Sequence, residues 1–467
     1  MTAEKRTIPT ELGTEKVGKL LKQYAWPAII AQIAASLYNM VDSIYIGHLS
    51  SNAISGLAVT FPLMNLSVAF GTLVGAGAAT MISILLGQKH YHMGNKVLGN
   101  VVSLNIIIGL LFMGVTLAFI DPILYFFGAS DNTLSYAKDY MSIILYGNII
   151  THLYFGLNAA MRSSGSPKKA MGLTIFTVVL NAILDPIFIF TLDMGIAGAA
   201  WATVIAQFAA MLVVMHHFNN QSRAIHFERG IVRLNWNVAK KSLVIGTGPF
   251  LMNLAACLVT LFINQQLRSY SDTLEAGDNF IAAYGICNRL IFVFIMICMG
   301  LNQGMQPIAG YNYGAKLYSR VKDVFWKTAK IAMGVTTICF LIGMFIPRSA
   351  CAIFTSDPEL LDISERAFRL LSLGFPIVGM QMIGTNFFQS LGMVKKSIFL
   401  SLSRQMLLLL PLLYTLPLWM ETDGVWLSFP ISDVVSTILT LILLRRLFNK
   451  FNTLHDGDSS NILDSEI

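Results

Sequence analysis

Long apolar segments, repeated along the whole chain, are the feature that most limits what this protein can fold into. Stretches of twenty or more mostly apolar residues recur from Tyr24 to Leu447, with short polar breaks between them. Each is long enough to cross the roughly 30 Å hydrocarbon core of a bilayer as an α-helix. Charged residues make up 12% of the 467 residues, about half the share in a soluble domain. The pattern predicts an all-α integral membrane protein.

We predict twelve transmembrane helices, one for each apolar segment. The predicted spans are 24–47, 54–86, 97–119, 134–161, 169–191, 194–217, 239–268, 280–310, 324–346, 360–392, 397–419 and 424–447. The first 23 residues are polar and lack the apolar core of a signal peptide. Most lysines and arginines fall in the two tails and in the loops on the same side, which predicts that both termini are cytoplasmic.

The basic balance and the cysteines exclude some classes of function. The formal charge of +7 lies in short loops and tails without interleaved aromatics, so it fits membrane topology and lipid headgroups better than nucleic-acid binding. The five cysteines form no CxxC pair and no histidine cluster accompanies them, which argues against disulfides and a zinc site.

The chain contains an internal repeat. "SSGSPKKAMGL" (163–173) matches "QSLGMVKKSIFL" (389–400), with the glycine and both lysines in register. Six spans per repeat give both halves the same orientation in the membrane, and two parallel bundles are typical of alternating-access transporters. Two alternatives to a transporter remain at this point. The duplication could serve only to stack helices, and channels also contain internal repeats. The predicted divisions are a tail at 1–23, an N-lobe at 24–217, a link at 218–238, a C-lobe at 239–447 and a tail at 448–467.

Two aspartates inside predicted spans are the first candidate site residues. A charge at mid-bilayer is costly, so such residues usually face a cavity or a partner. Asp42 in the first span has Tyr38 and Asn39 four and three residues before it, on one helix face. Asp185 in the fifth span follows Asn181 by four residues and precedes Pro186, which should kink the helix.

Oxygen-bearing side chains in the sixth span extend this group. Thr203 and Gln207 lie four residues apart there. Hydroxyl, amide and carboxylate oxygens suit a proton or a hard alkali ion, so Asp42 and Asp185 are interpreted as a binding site for a coupling cation. If they share one cavity, the two charges disfavour each other and one can bind a proton near neutral pH. Alternatively, these side chains only cap a kinked helix or hold helices together.

The polar residues assigned to the substrate cavity are Tyr38, Asn39, Tyr140, Asn158, Gln207 and Arg289. Tyr140 and Asn158 in the fourth span are five helical turns apart, so a continuous helix would place them on one face, lining the pocket or packing. Arg289 in the eighth span should line the cavity or neutralise a carboxylate of the other half. Asp433 in the twelfth span is its most obvious acidic partner by depth.

At these residues the chain resembles the multidrug and toxic compound extrusion (MATE) family, in its bacterial DinF-like branch. The resemblance covers about residues 20 to 450. It rests on "WPAIIAQIAASLYNMVDSIYIGHL", "NAAMRSSGSPKKA", "NAILDPIFIF", "GIAGAAWATVIAQ" and "QGMQPIAGYNYGA". It implies a multi-pass antiporter of the bacterial inner membrane, with two six-helix lobes around a central cavity, that exports cationic or amphipathic compounds and confers drug resistance.

The resemblance also implies which residues do the work. In the family's pattern the cation site, for H⁺ or Na⁺, matches Asp42, Asn181, Asp185 and Thr203. Tyr140 and Asn158 match two cavity positions of the family. Pro27 matches a proline that is associated with bending of the first span. Some members carry acidic residues in the seventh and tenth spans instead. Here those spans have Asn264, Gln265, Gln266 and Gln381, which puts a C-lobe carboxylate site in doubt.

The function expected from the sequence is therefore a proton- or sodium-coupled drug exporter without a cofactor, acting as a monomer in the lipid bilayer. The main alternative is a flippase for lipid-linked or amphipathic lipid substrates. An intramembrane aspartyl protease is a further alternative because two buried aspartates could form a dyad. The Gly-x-Gly-Asp pattern of such enzymes is missing at Asp185, so we do not expect an enzyme.

Overall fold

The structure is a computed structural model that describes residues 9–47, 49, 51–228, 230, 234–269 and 274–457. Throughout these residues the regular structure is helical. The predicted cavity residues Tyr38 and Asn39 belong to a helix, but their side chains lie outside the described part of the chain.

Eighteen α-helices and two π-helical segments make up the fold of the described residues. The α-helices are α1 (Glu11–Thr14), α2 (Val17–Gly47), α3 (Ser51–Gly87), α4 (Tyr91–Ala118), α5 (Ile120–Phe126), α6 (Asp131–Tyr146), α7 (Asn148–Ser163), α8 (Pro167–Pro186), α9 (Gly195–Asn219), α10 (Trp236–Ser269), α11 (Leu274–Gly314), α12 (Tyr318–Phe345), α13 (Pro347–Cys351), α14 (Pro358–Ser372), α15 (Phe375–Ser390), α16 (Val394–Leu402), α17 (Leu410–Thr415) and α18 (Pro417–Asn452). The π segments are Ile187–Thr191 and Ser403–Leu409.

The helices account for the predicted spans. Within the described residues nine helical segments are long and apolar enough to cross a membrane, and the pair α14–α15, bent by 55°, makes a tenth. The remaining two predicted spans correspond to α2 and to the pair α6–α7, which breaks at Gly147. The prediction of an all-α, twelve-helix membrane protein with two lobes is confirmed.

The chain divides into two compact units. The first unit comprises 1–15, 30–250 and 310–315, and the second comprises 16–29, 251–309 and 316–467. Helices α2, α10 and α11 therefore contribute residues to both units. Each of these helices contains a proline close to the boundary: Pro27, Pro249 and Pro307. Because a proline removes one helical hydrogen bond, the three helices have their weakest points where they pass between units.

Glycines at equivalent positions show the repeat in three dimensions. In the first unit a Cβ at Gly198 of α9 would lie 2.7 Å from the carbonyl carbon of Phe188. In the second unit a Cβ at Gly424 of α18 would lie 2.5 Å from the carbonyl carbon of Leu416. Both helices thus begin against the backbone of the segment before them, at a distance that only glycine allows.

Candidate cation site in the first unit

Asp185 lies in the last turn of α8, and its side chain is fully buried. Asn181 precedes it by one helical turn and is buried as well, since residues four apart share a helix face. The amide Nδ2 of Asn181 donates a hydrogen bond to Oδ1 of Asp185 at 3.2 Å. The helix itself therefore supplies the first polar neighbour of the carboxylate.

The helix changes its geometry directly after this carboxylate. Pro186 ends α8, and the chain continues as the π segment Ile187–Thr191. A proline cannot donate the helical hydrogen bond, and π-helical turns are frequent at functional sites. Gly198 then allows α9 to pack against the backbone of this π segment at Phe188. The local sequence thus brings α9 close to the carboxylate.

Thr203 is the contribution of α9 to the site. Its buried hydroxyl donates a hydrogen bond to the carbonyl oxygen of Ala199 at 3.0 Å, which fixes the direction of the hydroxyl. The same oxygen accepts a hydrogen bond from Nδ2 of Asn181 at 3.4 Å. Asn181 is therefore shared between the carboxylate of Asp185 and the hydroxyl of Thr203, and it ties the two helices together.

The structure brings the two predicted aspartates together. Asp42 of α2 is 5% exposed and lies close to the carboxyl group of Asp185. Two carboxyl groups this close repel each other when both are charged. Tyr140 of α6 is buried close to both carboxyl groups. The site therefore has the composition of a pair that can take up a proton or another cation.

Two acceptor oxygens of the site lack a hydrogen-bond donor. Oδ2 of Asp185 and Oδ1 of Asn181 are buried and have no hydrogen-bond partner among the described residues. Buried acceptors of this kind are costly unless a donor or a cation satisfies them. Carboxylate, amide and hydroxyl oxygens are the ligands that hard cations prefer, so the residues fit Na⁺ as well as a proton. Where the structure describes the chain, no group of three His, Cys, Asp or Glu residues could hold another metal.

Two predicted cavity residues lie apart from this group. Nδ2 of Asn158 on α7 donates to Oγ1 of Thr174 at 3.1 Å. Gln207 on α9 accepts a hydrogen bond from the hydroxyl of Thr151. The helix expected to run unbroken from Tyr140 to Asn158 is interrupted at Gly147, between α6 and α7.

The predicted pairing of Arg289 with Asp433 was also wrong. Arg289 is exposed on α11, and no ion pair links it to any part of the chain that the structure describes. Asp433 is instead paired with Arg404, whose Nε lies 2.7 Å from Oδ1 of the carboxylate. Sequence reasoning missed Arg404, although this residue lies within the predicted eleventh span and a charge there was the signal for it.

A second polar cluster in the first unit was not predicted. The hydroxyl of Ser67 on α3 donates to Oδ1 of Asn148 at 2.5 Å and lies 3.2 Å from Nε2 of His152. His152 is fully buried on α7. A histidine within the predicted fourth span was the signal that could have pointed to this cluster.

The fold and the site define a multi-pass helical membrane protein of two related units. The first unit contains a buried pair of carboxyl groups. The MatE family model matches residues 27–187 and 258–415, more than half of the chain. The chain belongs to this family, which is the multidrug and toxic compound extrusion (MATE) family of membrane transporters, and the predicted resemblance is confirmed.

Known relatives match over nearly the whole chain. The solved structure of the "MATE multidrug transporter DinF-BH in complex with R6G" is 34% identical, with a TM-score of 0.85 over 95% of this chain and 98% of that one. The Multidrug export protein MepA of Staphylococcus haemolyticus (strain JCSC1435) is 27% identical, covering 96% of this chain and 97% of the relative. A "MATE in the bent conformation" shares the fold, with 21% identity and a TM-score of 0.90 over 96% of this chain and 99% of that one.

Proposed function

We propose that this protein is a secondary antiporter that exports cationic or amphipathic compounds in exchange for H⁺ or Na⁺ entering through the site at Asp42 and Asp185. The similar proteins support the export function. MepA is a multidrug export protein by name, and DinF-BH, a multidrug transporter, is the more similar of the two. We expect the protein to act as a monomer in the bacterial cytoplasmic membrane, with both termini inside the cell. We expect no cofactor.

The observation that carries the coupling proposal is the buried pair of carboxyl groups. Two buried carboxylates this close repel each other when both are charged, and the buried oxygens beside them call for a donor or a cation. No lysine, arginine or histidine forms a salt bridge with Asp185 among the described contacts. A coupling ion bound at this site would balance the charge.

Export then follows from linkage between two ligands. A cation bound at Asp42 and Asp185 neutralises the site and lowers its attraction for a cationic compound in the same unit. By reciprocity, the compound lowers the affinity for the cation by the same factor, and such couplings typically amount to about 5- to 150-fold. An inward ion gradient would in this way drive the compound outward.

The test is efflux of ethidium from proteoliposomes under a proton gradient and, separately, under a sodium gradient. Asp185→Asn is the test variant, and Asp139→Asn is the matched control because Asp139 is exposed on the helix that carries Tyr140. We expect one gradient to drive efflux, with loss in Asp185→Asn and none in Asp139→Asn. Efflux at the wild-type rate by well-inserted Asp185→Asn contradicts the site. If neither gradient drives ethidium efflux, the antiporter proposal is contradicted and the flippase alternative is favoured.

A further inference from the structure

Two neighbouring cavities in the first unit lie outside the candidate cation site. One cavity of about 630 Å³ lies between α3, α4 and α5. Another, of about 380 Å³, lies between α3, α4 and the first turns of α10. Leu73 and Ile108 line both cavities, so the two adjoin each other at these side chains. We call the two cavities together the α3–α4 groove.

The larger part of the groove is apolar along a length that suits an acyl chain. Leu63, Leu66, Phe70 and Leu73 of α3 form one stripe along its wall. Ten residues of helix span about 15 Å, which is half the thickness of the hydrocarbon core. The facing wall on α4 includes Leu111, which is 63% exposed. In a bilayer, acyl chains cover exposed side chains of this kind.

The other end of the groove adds a basic and a polar residue to its apolar wall. Trp236, Lys240 and Thr247 of α10 line it together with Leu243 and Val244. The Lys240 side chain is exposed, and Trp236 is 62% exposed. Tryptophan favours the membrane interface, and a lysine there attracts anionic headgroups. The groove thus pairs an interfacial cation with an acyl-length apolar wall.

Helices α3 and α10 pack closely beside the groove. A Cβ at Gly246 of α10 would lie 1.7 Å from the carbonyl oxygen of Leu73, and one at Gly77 of α3 would lie 1.9 Å from the carbonyl oxygen of Ser242. The backbones of α3 and α10 are therefore in direct contact at two points. This close packing fixes the position of Lys240 relative to the apolar stripe.

We propose that the α3–α4 groove is a binding site for an anionic phospholipid, with the phosphate at Lys240 and an acyl chain against the α3 stripe. An exported organic cation would be repelled by Lys240, so the charge favours a lipid over a drug. The proposal does not depend on the ion or on the compound that the protein transports.

Native mass spectrometry of the purified protein, titrated with phosphatidylglycerol or with phosphatidylcholine of the same acyl chains, tests the proposal. Lys240→Gln removes the cation, and Lys241→Gln is the matched control because Lys241 is exposed on the same helix but does not line the groove. We expect wild type and Lys241→Gln to prefer phosphatidylglycerol. We expect Lys240→Gln to lose affinity for it about fivefold, the factor for roughly 1 kcal/mol per interfacial cation.

A second variant tests the apolar part. Ile108→Trp fills the junction between the cavities, whereas Leu110→Trp places the same ring on an exposed position of α4 outside the groove. We expect Ile108→Trp to weaken the binding of both lipids and Leu110→Trp to leave the binding of both unchanged. Equal binding of both lipids by wild type, or equal losses in Lys240→Gln and Lys241→Gln, would overturn the proposal in favour of diffuse attraction. Unchanged binding in Ile108→Trp would also overturn it.

Discussion

Each unit holds a buried carboxylate, but the described partners of the two differ in charge. In the second unit, Asp433 is 3% exposed and forms an ion pair with Arg404. In the first unit, Asp185 is fully buried and accepts a described hydrogen bond from the uncharged amide of Asn181. The second unit thus has an arginine beside its carboxylate, whereas the proposed function assigns the balancing charge in the first unit to a coupling ion.

Both sites lie beside a π segment, but at different positions of the repeat. Asp185 precedes the segment Ile187–Thr191 at the end of α8, whereas Arg404 lies within Ser403–Leu409, about ten residues earlier in the repeat register. The units therefore differ in backbone geometry as well as in side chains.

The largest expected effect comes from removing the positive charge of Arg404. Arg404→Gln leaves the carboxylate of Asp433 buried without its partner, which typically costs about 3–5 kcal/mol. We expect a large drop in melting temperature in detergent, partly restored by adding Asp433→Asn. Arg289→Gln is the matched control, because Arg289 is exposed, and its cost should stay within about 0.5 kcal/mol. Equal melting temperatures of both single variants would refute the difference between the units.

The next effect concerns the packing that both units share. Gly198→Val places a side chain where the backbone of Phe188 lies, and overpacking of this kind costs about 1–3 kcal/mol. We expect a similar loss of thermal stability from Gly424→Val, but loss of ion-driven efflux per folded molecule only from Gly198→Val. Loss of coupling in both variants would show that the second unit also takes part in ion binding.

Much of this arrangement could be predicted from the sequence, for physical reasons. The length of the apolar segments determined the spans, and charges inside a bilayer are so rare that Asp42 and Asp185 stand out in the sequence alone. The break at Gly147 and the register between α8 and α9 could not be read from spacing. They depend on close contacts at single glycines, such as Gly198 against Phe188.

A smaller effect sharpens the role of the hydroxyl in the first unit. Thr203→Val keeps the shape of the side chain but removes the oxygen that accepts from Asn181. One lost hydrogen bond is worth about 1 kcal/mol, so we expect roughly a fivefold loss of affinity for the coupling ion. The measurement is the ion concentration at half-maximal efflux. Thr260→Val on α10 is the control, because that hydroxyl is exposed and bonds only its own helix. An unchanged midpoint in Thr203→Val would remove Thr203 from the site.

The smallest effect lies outside the membrane, where Glu228 ties the segment that follows α9 to α4. Burial opposes its charge, but hydrogen bonds from Asn95 and His92 outweigh burial and lower the pKa of Glu228. The stabilisation is therefore present above the ordinary glutamate pKa and is lost as the pH falls through the lowered one. Because the group is largely exposed, we expect at most about 1 kcal/mol.

Melting temperatures of wild type and Glu228→Gln at pH 7 and at pH 3 measure this contribution. The difference between the two proteins should be small at pH 7 and should shrink at pH 3. A difference that grows on acidification would contradict the assignment.

The most direct test of the central claim counts ions on compound binding. Purified protein in weakly buffered detergent is mixed with ethidium, and the released protons, or the displaced ²²Na⁺, are measured for wild type, Asp185→Asn and Asp433→Asn. We expect wild type and Asp433→Asn to release about one ion per bound ethidium, as reciprocal coupling requires, and Asp185→Asn to release none. Release that persists in Asp185→Asn, or that disappears in Asp433→Asn, would contradict this expectation.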